Sequence, residues 1–388
     1  MILDSKSSDL FFHTYGDDPE RVYFSHGRLE LLGNHTDHNH GLCLVGGVDM
    51  GITASVKKSE GKTIEILSEG YPTFEVDLDH LEIDKKEYGT SKAIVKGVCF
   101  RLKELGYAIG GFQAACASDI FPGAGVSSSA AYESLIIEIL NDLYNEGKIT
   151  PLEMAKIGQY AENVYFGKPS GLLDQVGSSF GGVCYIDFKS TQSPIVESLP
   201  YDFPFRVVLV NSGGSHAKLT PLYASIPNDM YAVAANMFGK KVLREVPQEE
   251  FMRKIGTPCP GVSEIAKLRA QHFYDENARV LKAREAIINH DQNSFLLSVS
   301  ESGDSSRDFL HNTMVPGQYE HSPQQAVDIA RRYIGKGAVR IMGGGFAGSI
   351  IAFVYPTDFD AFMAEMIGHY GKKNVKEVKI LSGGPRRI

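Results

Sequence analysis

Short apolar runs separated by polar turns fill the first half of the chain and predict a mixture of strands and helices. Strands are predicted at Arg28–Leu32, Thr63–Leu67, Phe74–Leu78 and Phe112–Cys116. Helices are predicted at Lys92–Gly106, Ser128–Asn145 and Pro151–Phe166. The last of these has strong start signals, because Thr150 is a good cap and proline is well tolerated at the first helical position.

The second half has a similar mixture but more helix. Its pattern predicts strands at Arg206–Val210, Ala338–Ile341, Ser349–Tyr355 and Val375–Leu381, helices through most of Ala217–Arg332, and a helix at Phe359–Tyr370. Strands and helices mixed in both halves favour an α+β fold over a doubly wound parallel sheet. A domain boundary is predicted near Pro200, which gives domains at 1–200 and 201–388.

Composition narrows the classes of protein that the chain can be. The 388 residues are 43% hydrophobic and carry a formal net charge of −8, without a long run of lysine or arginine. This argues against a nucleic-acid or anionic-membrane partner. Five scattered cysteines without a C-x-x-C pair indicate reduced thiols, and no apolar stretch is long enough to span a bilayer. A soluble, cytoplasmic protein is therefore expected.

The strongest chemical signal is a glycine- and serine-rich segment that leads into a predicted helix. It consists of Pro122, Gly123, Ala124, Gly125, Val126, Ser127, Ser128, Ser129 and Ala130. Glycines let backbone come close to a ligand, and a helix N-terminus offers unpaired N–H groups to phosphate. A turn with a serine cap would explain any one of these residues but not their density. No G-K-[ST] follows, so this is not a Walker A loop.

A second polar segment follows the strand that carries Arg28. Arg28 could bind a carboxylate or another anion in a bidentate pair, and His35 and Asp37 could hold sugar hydroxyls. Asparagines and aspartates here could instead be simple turn formers. Histidines 35, 38 and 40 could instead bind a metal, although neither a cysteine nor a fourth ligand cluster accompanies them.

Two further segments complete the set. Glu162 and Asp174 are carboxylates on either side of a turn, and phosphoryl transfer needs one carboxylate for a metal and one for the acceptor hydroxyl. A solvated helix face and a helix cap are the plainer explanations of the two. The glycine cluster Gly343–Gly348 lies between two predicted strands and predicts either a tight hairpin or a close approach to phosphate.

Together and in this order, the four segments resemble those of the GHMP kinase superfamily, and within it the galactokinase family. Gly27-Arg28 followed by Gly33-Asn-His-Thr-Asp-His-Asn39 is similar to the signature G-R-x-N-x-I-G-E-H-T-D-Y-N. Pro122–Ala130 is similar to the ATP loop P-x-G-A-G-L-S-S-S-A. The resemblance extends from Arg28 to Gly348. It implies a two-domain fold of mixed sheets and helices, with the active site in the cleft between the domains.

The resemblance also implies roles for single residues. Asp174 matches the catalytic aspartate of G-I-M-D-Q, and Arg28 matches the arginine that pairs with it. Ser129 and Glu162 occupy the positions of the Mg²⁺ ligands. The positions expected to bind the sugar are Asn34, His35, Asp37, Gly171 and Tyr223, the last of which follows His216 by seven residues.

The chain departs from the family pattern in the strand that carries Arg28 and in the polar loop Gly33–Gly41 that follows it, the sugar loop. Asn34 replaces the glutamate that meets the sugar's C6 hydroxyl in galactokinases, Glu30 replaces an asparagine, and His38 replaces a tyrosine. Hydrogen bonds to charged groups contribute about 1.5–3 kcal/mol and neutral ones about 1 kcal/mol, so affinity could change about tenfold. Asparagine can still accept from a hydroxyl and repels a C6 carboxylate less than glutamate does.

The expected activity is ATP- and Mg²⁺-dependent phosphorylation of galactose at its anomeric hydroxyl, by a monomer or weak homo-oligomer that acts on a small-molecule sugar. A kinase for a related sugar such as galacturonate is the first alternative. A non-catalytic galactose/ATP sensor is less favoured, because the ATP loop, Arg28 and Asp174 are all intact.

Overall fold

The structure, a computed structural model, describes residues 2–121, 123–214 and 219–388. Its strands are β1 (Arg21–Leu32), β2 (Leu42–Lys58), β3 (Thr63–Ser68), β4 (Phe74–Asp77), β5 (Phe112–Ser118), β6 (Val183–Asp187), β7 (Ile195–Leu199), β8 (Arg206–Asn211), β9 (Ala338–Ile341), β10 (Ser349–Val354), β11 (Val375–Val378) and β12 (Arg386–Arg387). Its α-helices are α1 (Ile2–Tyr15), α2 (Ser91–Glu104), α3 (Ser128–Tyr144), α4 (Pro151–Tyr160), α5 (Leu173–Phe180), α6 (Thr220–Phe238), α7 (Gln248–Lys254), α8 (Glu264–Ile288), α9 (Gln292–Ser305), α10 (Pro323–Tyr333) and α11 (Phe359–Tyr370).

The strands form two sheets. The first has the order β12-β1-β2-β5-β3-β4, with β6 joining β2 to β7, and the second has the order β11-β8-β10-β9. Strands β3 and β5 pair in parallel, whereas the other paired strands of both sheets run antiparallel. The α+β prediction is therefore confirmed. The predicted boundary at residue 200 stays a prediction, and the last strand, β12, returns to pair with β1.

A shared hydrophobic core joins the two sheets. Leu29 and Leu31 of β1 and Val126 of the glycine-serine segment belong to the same buried cluster as Phe295 and Phe353 from the second half. Burial of this apolar surface holds the glycine-serine segment, strand β1 and the second sheet against one another.

Helix α4 shows how local sequence positions a later functional group. The Thr150 hydroxyl accepts from the Glu153 N–H at 3.3 Å, and the Glu153 carboxylate accepts from the Thr150 N–H at 3.0 Å, which forms a capping box. The helix was predicted to run to Phe166, but it becomes π-helical over Ala161–Phe166. Such π-helical turns are frequent at functional sites, and this one contains Glu162.

The cysteines and the helices bear on the class of protein. All five cysteines are free thiols, as predicted. Within the three described ranges, no helix is long and apolar enough to cross a membrane.

Candidate active site

The glycine-serine segment forms an open loop at the N-terminus of α3. Gly123 and Gly125 have positive φ angles of 78° and 74°, and Ser127, just before the helix, has a φ of 57°. The Ser349 hydroxyl donates to the Gly123 carbonyl at 2.7 Å, and the Arg28 N–H donates to the Val126 carbonyl at 2.8 Å. Both halves of the chain therefore hold the loop.

Side chains and backbone face different ways along this loop. Ala124, Val126 and Ala130 are almost fully buried, whereas Gly123, Gly125 and Ser128 are exposed. The buried residues can reach a phosphate only through their backbone. Pro122, also predicted to bind ATP, lies outside the described residues, as does His216. The exposed backbone and the first turn of α3 together offer the donors that an anion needs.

Asp174, in the first turn of α5, lies beside this loop. Its Oδ1 accepts from Arg28 Nε at 2.8 Å and lies 2.7 Å from Arg28 Nη2, while Oδ2 accepts from the Ser127 hydroxyl at 2.8 Å. A third guanidinium contact runs from Arg28 Nη1 to the Gly125 carbonyl. Burial raises the pKa of Asp174, but the charge of Arg28 and the two hydrogen-bond donors outweigh it and hold the pKa below its ordinary value.

Glu162, in the π-helical turn after α4, contacts Ser129 in the first turn of α3. Its Oε1 accepts from the Ser129 hydroxyl and from Lys168 Nζ, both at 3.0 Å, and its Oε2 accepts from Gln175 Nε2 at 2.7 Å. Glu162 itself is 1% exposed. The predicted pair, Ser129 and Glu162, is thus in direct contact. Sequence reasoning missed Lys168, and a lysine in a loop carries no pattern that would mark it.

A cavity of about 240 Å³ adjoins Asp174. Among the side chains that line it are Arg28, Glu30, Asn34, Asp37, Lys168 and Asp174. Burial, together with the neighbouring charges of Glu30 and Asp174, raises the pKa of Asp37 to about 6, although backbone hydrogen bonds oppose the shift. Gly171 also lines the cavity, and a Cβ at that position would lie 2.4 Å from Asp37 Oδ2. A larger residue at this position would therefore have to displace the Asp37 carboxylate.

Asn34 lines the cavity but is bound on all sides by protein. Its Nδ2 donates to Glu30 Oε1 at 2.8 Å and to the Gly343 carbonyl at 2.7 Å. Its Oδ1 accepts from Asn312 Nδ2 at 2.9 Å. Glu30 Oε1 also accepts from Arg340 Nη2 at 3.0 Å. Sequence reasoning missed Asn312 and Arg340, which lie about 300 residues away along the chain.

The histidines of this loop form a hydrogen-bonded chain. His35 Nε2 lies 3.0 Å from the Gly344 carbonyl, so it donates, and Nδ1 is left to accept from His38 Nε2 at 3.4 Å. Asn39 Nδ2 in turn lies 3.0 Å from His38 Nδ1. Burial lowers the pKa of both histidines, which fits neutral rings. In the part of the chain that the structure describes, no group of three or more His, Cys, Asp or Glu side chains is arranged to hold a metal.

Helix α8 anchors the same loop from the second half of the chain. Glu276 Oε1 accepts from the Gly33 N–H at 2.9 Å and from the Ser302 hydroxyl at 2.6 Å, and Oε2 accepts from Arg279 at 2.7 Å. Burial raises the pKa of Glu276, but Arg279, His272 and Arg340 outweigh it and bring the pKa to about 2. The sugar loop therefore depends on a buried, charged anchor that its own sequence does not reveal.

The glycine cluster Gly343–Gly348 contacts both this loop and α6. The Tyr223 hydroxyl donates to the Gly345 carbonyl at 3.1 Å, and a Cβ on Gly344 would lie 2.8 Å from the Tyr223 ring. Tyr223 is not among the described residues that line the cavity, which Gly343 and Gly344 do line. Its predicted contact with the sugar stays a prediction.

Two family models match segments of the chain. The GHMP kinases N-terminal domain family matches residues 93–182, and the galactokinase galactose-binding signature matches residues 9–58. The mevalonate kinase of L. major, solved with R-mevalonate, shares the fold with a TM-score of 0.63 at 14% identity, covering 95% of this chain and 99% of that one.

Galactokinases are more similar. The curated galactokinase of Lactococcus lactis (strain IL1403) is 30% identical over 371 residues, which is 92% of this chain and 89% of that protein. That of Glaesserella parasuis serovar 5 is 29% identical over 371 residues, covering 95% and 94% of the two chains. The crystal structure of Lactococcus lactis galactokinase with galactose superposes with a TM-score of 0.83 at 26% identity, covering 100% of both chains.

The fold and the site together define a GHMP kinase, a class of phosphotransferase built on a glycine-serine loop at a helix N-terminus. Within that class, the chain belongs to the galactokinase family.

Proposed function

We propose that the chain transfers the γ-phosphoryl group of ATP to the anomeric hydroxyl of galactose. The observation that carries the proposal is the position of Asp174. One of its carboxylate oxygens accepts from Ser127 at the start of α3, the other pairs with Arg28, and the side chain lines the cavity. A hydroxyl held there would lie between the acceptor carboxylate and the phosphate end of the site.

The charge of Asp174 suits a loose transition state. Its lowered pKa makes it a weak base that stays ionised near neutral pH. Phosphoryl transfer depends more on positioning and charge neutralisation than on early deprotonation. Asp174 would therefore orient the hydroxyl and take its proton late, while Arg28 fixes the carboxylate and links it to the loop carbonyl of Gly125.

Mg²⁺ fits the residues beside the loop. Ser129 and Glu162 provide hard oxygen ligands within 3.0 Å of each other, and Mg²⁺ in kinases is usually held by one or two carboxylates together with substrate phosphates. When bound, the ion would neutralise charge on the phosphates. Lys168, 3.0 Å from Glu162, adds a positive charge at the mouth of the cavity.

The cavity favours a neutral sugar. Three carboxylates, those of Glu30, Asp37 and Asp174, line it against two cationic side chains, Arg28 and Lys168, so a uronate would add to a net negative charge. Galacturonate, the first alternative, is therefore disfavoured. A cytoplasmic location is further inferred from the five free thiols, and the oligomeric state stays a prediction.

The test is an ADP-release assay with galactose, galacturonate, N-acetylgalactosamine, arabinose and glucose, each at the same ATP and Mg²⁺ concentrations. Galactose is expected to give the highest kcat/KM. A protein that binds ATP and galactose but releases no sugar-dependent ADP would support the sensor alternative instead. Highest activity with galacturonate would overturn the choice of substrate.

A further inference from the structure

Glu30 lines the cavity on the same strand as Arg28. It lies on β1 two residues after Arg28, opposite Val45 as Arg28 is opposite Gly47, so the two side chains project from the same face of the strand. At about 3.3 Å per residue, their Cα atoms are about 6.6 Å apart. Arg28 marks the reacting end of the cavity through Asp174, and Glu30 therefore marks a position about one sugar ring away.

The neighbouring amide of Asn34 has little left to offer a ligand. A carboxamide nitrogen has two hydrogens, and those of Asn34 are donated to Glu30 and to the Gly343 carbonyl. Its oxygen already accepts from Asn312. Asn34 is also only 1% exposed. It can contribute at most one further acceptor position and no donor.

Glu30, in contrast, keeps one carboxylate oxygen free. Its Oε1 accepts from Asn34 Nδ2 and Arg340 Nη2, whereas its Oε2 accepts no hydrogen bond from any residue within the described ranges. Arg340 is fully buried and compensates the charge. Glu30 is thus a buried carboxylate that pairs with a cation and an amide and has one unused oxygen. That oxygen can accept a hydrogen bond from a sugar hydroxyl.

Resting on the proposed function, we propose that Glu30 is the specificity-determining acceptor for the sugar hydroxyl remote from the reacting one, on C4 or C6, and that its charge excludes a uronate. The carboxylate and the amide have exchanged places relative to the family signature, which has asparagine where this chain has Glu30 and glutamate where it has Asn34. The pair stays hydrogen-bonded, so one negative charge is kept and only its position changes.

The experiment compares wild type with Glu30→Gln on galactose, 4-deoxygalactose and 6-deoxygalactose. Glutamine keeps the size but removes the charge, so KM for galactose is expected to rise about tenfold with kcat changed less than about threefold. For the deoxysugar that lacks the contacted hydroxyl, the two proteins are expected to have the same KM within about twofold. Equal tenfold losses on all three sugars would overturn the proposal, because they would indicate a structural role only.

A double variant that exchanges the two residues keeps the proposal testable if Glu30→Gln does not fold. Glu30→Asn combined with Asn34→Glu returns the charge to the other member of the pair and is expected to recover wild-type KM for galactose within about threefold. If Glu30→Gln does not fold, this variant must still discriminate against the same deoxysugar, and loss of that discrimination would contradict the proposal. Asn34→Asp alone places two carboxylates together and is expected to weaken galactose binding.

If the proposed function is wrong, the outcome differs from the one expected if the role of Glu30 is wrong. If wild type turns over no sugar, calorimetric binding of galactose and the two deoxysugars replaces the kinetic readout. The Glu30→Gln effect on the dissociation constant is then expected to disappear with one deoxysugar only. Binding of galacturonate by wild type as tightly as galactose would overturn the charge argument, whatever the turnover.

Discussion

The two ends of the active site are built in different ways. The phosphate end is largely local: two glycines with positive φ, the start of α3 and Ser129 follow one another within ten residues. The sugar end is largely remote: the loop at 33–41 is held by Glu276, His272 and Asn312, which are more than 230 residues away along the chain. The phosphate end therefore offers mainly local backbone, with Ser349 as a remote support, whereas the sugar end relies mainly on side chains from elsewhere.

This difference has a functional consequence. Phosphate is the same in every nucleotide, so backbone donors at a helix N-terminus suffice to bind it. Sugars differ by single hydroxyls, and discrimination between them requires placed polar side chains. Variation in this family member is accordingly found at Glu30, Asn34 and His38 of the sugar end, whereas the ATP loop keeps the G-A-G and S-S-S-A parts of its pattern.

The largest expected effect belongs to the residue between the two ends. Asp174→Asn keeps the shape but removes the acceptor charge that Arg28 and Ser127 hold, so kcat with galactose should fall by about 10²–10⁴-fold. Asp187→Asn is the matched control, because Asp187 also pairs with an arginine, Arg244 at 2.8 Å, but outside the site. Near-normal turnover by Asp174→Asn would refute the assigned role.

The next test concerns Glu276, the remote anchor of the sugar loop. Glu276→Gln removes a buried charge and leaves the half-buried Arg279 without its partner, so the free energy of unfolding should fall by about 3 kcal/mol in urea titrations at pH 7. KM for galactose should rise more than KM for ATP. Because the pKa of Glu276 is lowered from 4.5 to about 2, its stabilising effect is present above about pH 4.5 and is lost as pH falls toward 2.

A buried carboxylate at the phosphate end provides the control for this variant. Burial and the charge of Glu162 raise the pKa of Glu133 well above its ordinary value, so its surroundings disfavour the charged form. Glu133→Gln should therefore cost less than about 1 kcal/mol. Equal losses in the two variants would contradict the contrast between Glu276, whose charged form is stabilised, and Glu133, whose charged form is disfavoured.

The metal proposal predicts a smaller, specific effect. Glu162→Gln removes a charged ligand next to Ser129, and the Mg²⁺ concentration at half-maximal activity should rise at least about tenfold, since even outer partners of a metal site contribute that much. Glu133→Gln, whose parent also contacts Gln175 but not Ser129, should leave the Mg²⁺ requirement nearly unchanged. An unchanged requirement in Glu162→Gln would exclude it as a ligand.

The smallest expected effect is on pH dependence. Asp37, with its pKa raised to about 6, is ionised above that pH and protonated below it. If its carboxylate accepts hydrogen bonds from sugar hydroxyls, KM for galactose should be roughly tenfold higher at pH 5 than at pH 8. The kcat, which depends on Asp174, should change little. In Asp37→Asn the inflection should disappear. An inflection that persists in that variant would assign it to another group.

Sequence reasoning succeeded where the information is local. The α+β class, most strands and the start of α4 were predicted because periodicity and caps act over a few residues. Helix α1 was missed: Ile2–Tyr15 is rich in polar residues, and its apolar face is short. The turn to π-helix at Ala161 was missed as well, since the sequence continues to favour α-helix there.

At the site, motifs brought Arg28, Ser129, Glu162 and Asp174 to attention, and the structure places them in two contacting pairs. Their partners could not be predicted. Arg340 lies in the four-residue strand β9 and Glu276 in the long helix α8, where a charged residue looks solvated or salt-bridged. Only tertiary packing reveals that both are buried beside the sugar loop. Burial of a charge depends on the fold and not on the residues next to it.

The protein is expected to place phosphate on the anomeric hydroxyl of galactose in a reaction that requires Asp174. Phosphorus NMR tests this in a reaction containing the protein, ATP, Mg²⁺ and galactose, run beside Asp174→Asn. Wild type should produce a sugar phosphate whose phosphorus couples to the anomeric proton, and the variant should produce almost none. A phosphate on any other hydroxyl, or equal product from the two proteins, would contradict the account.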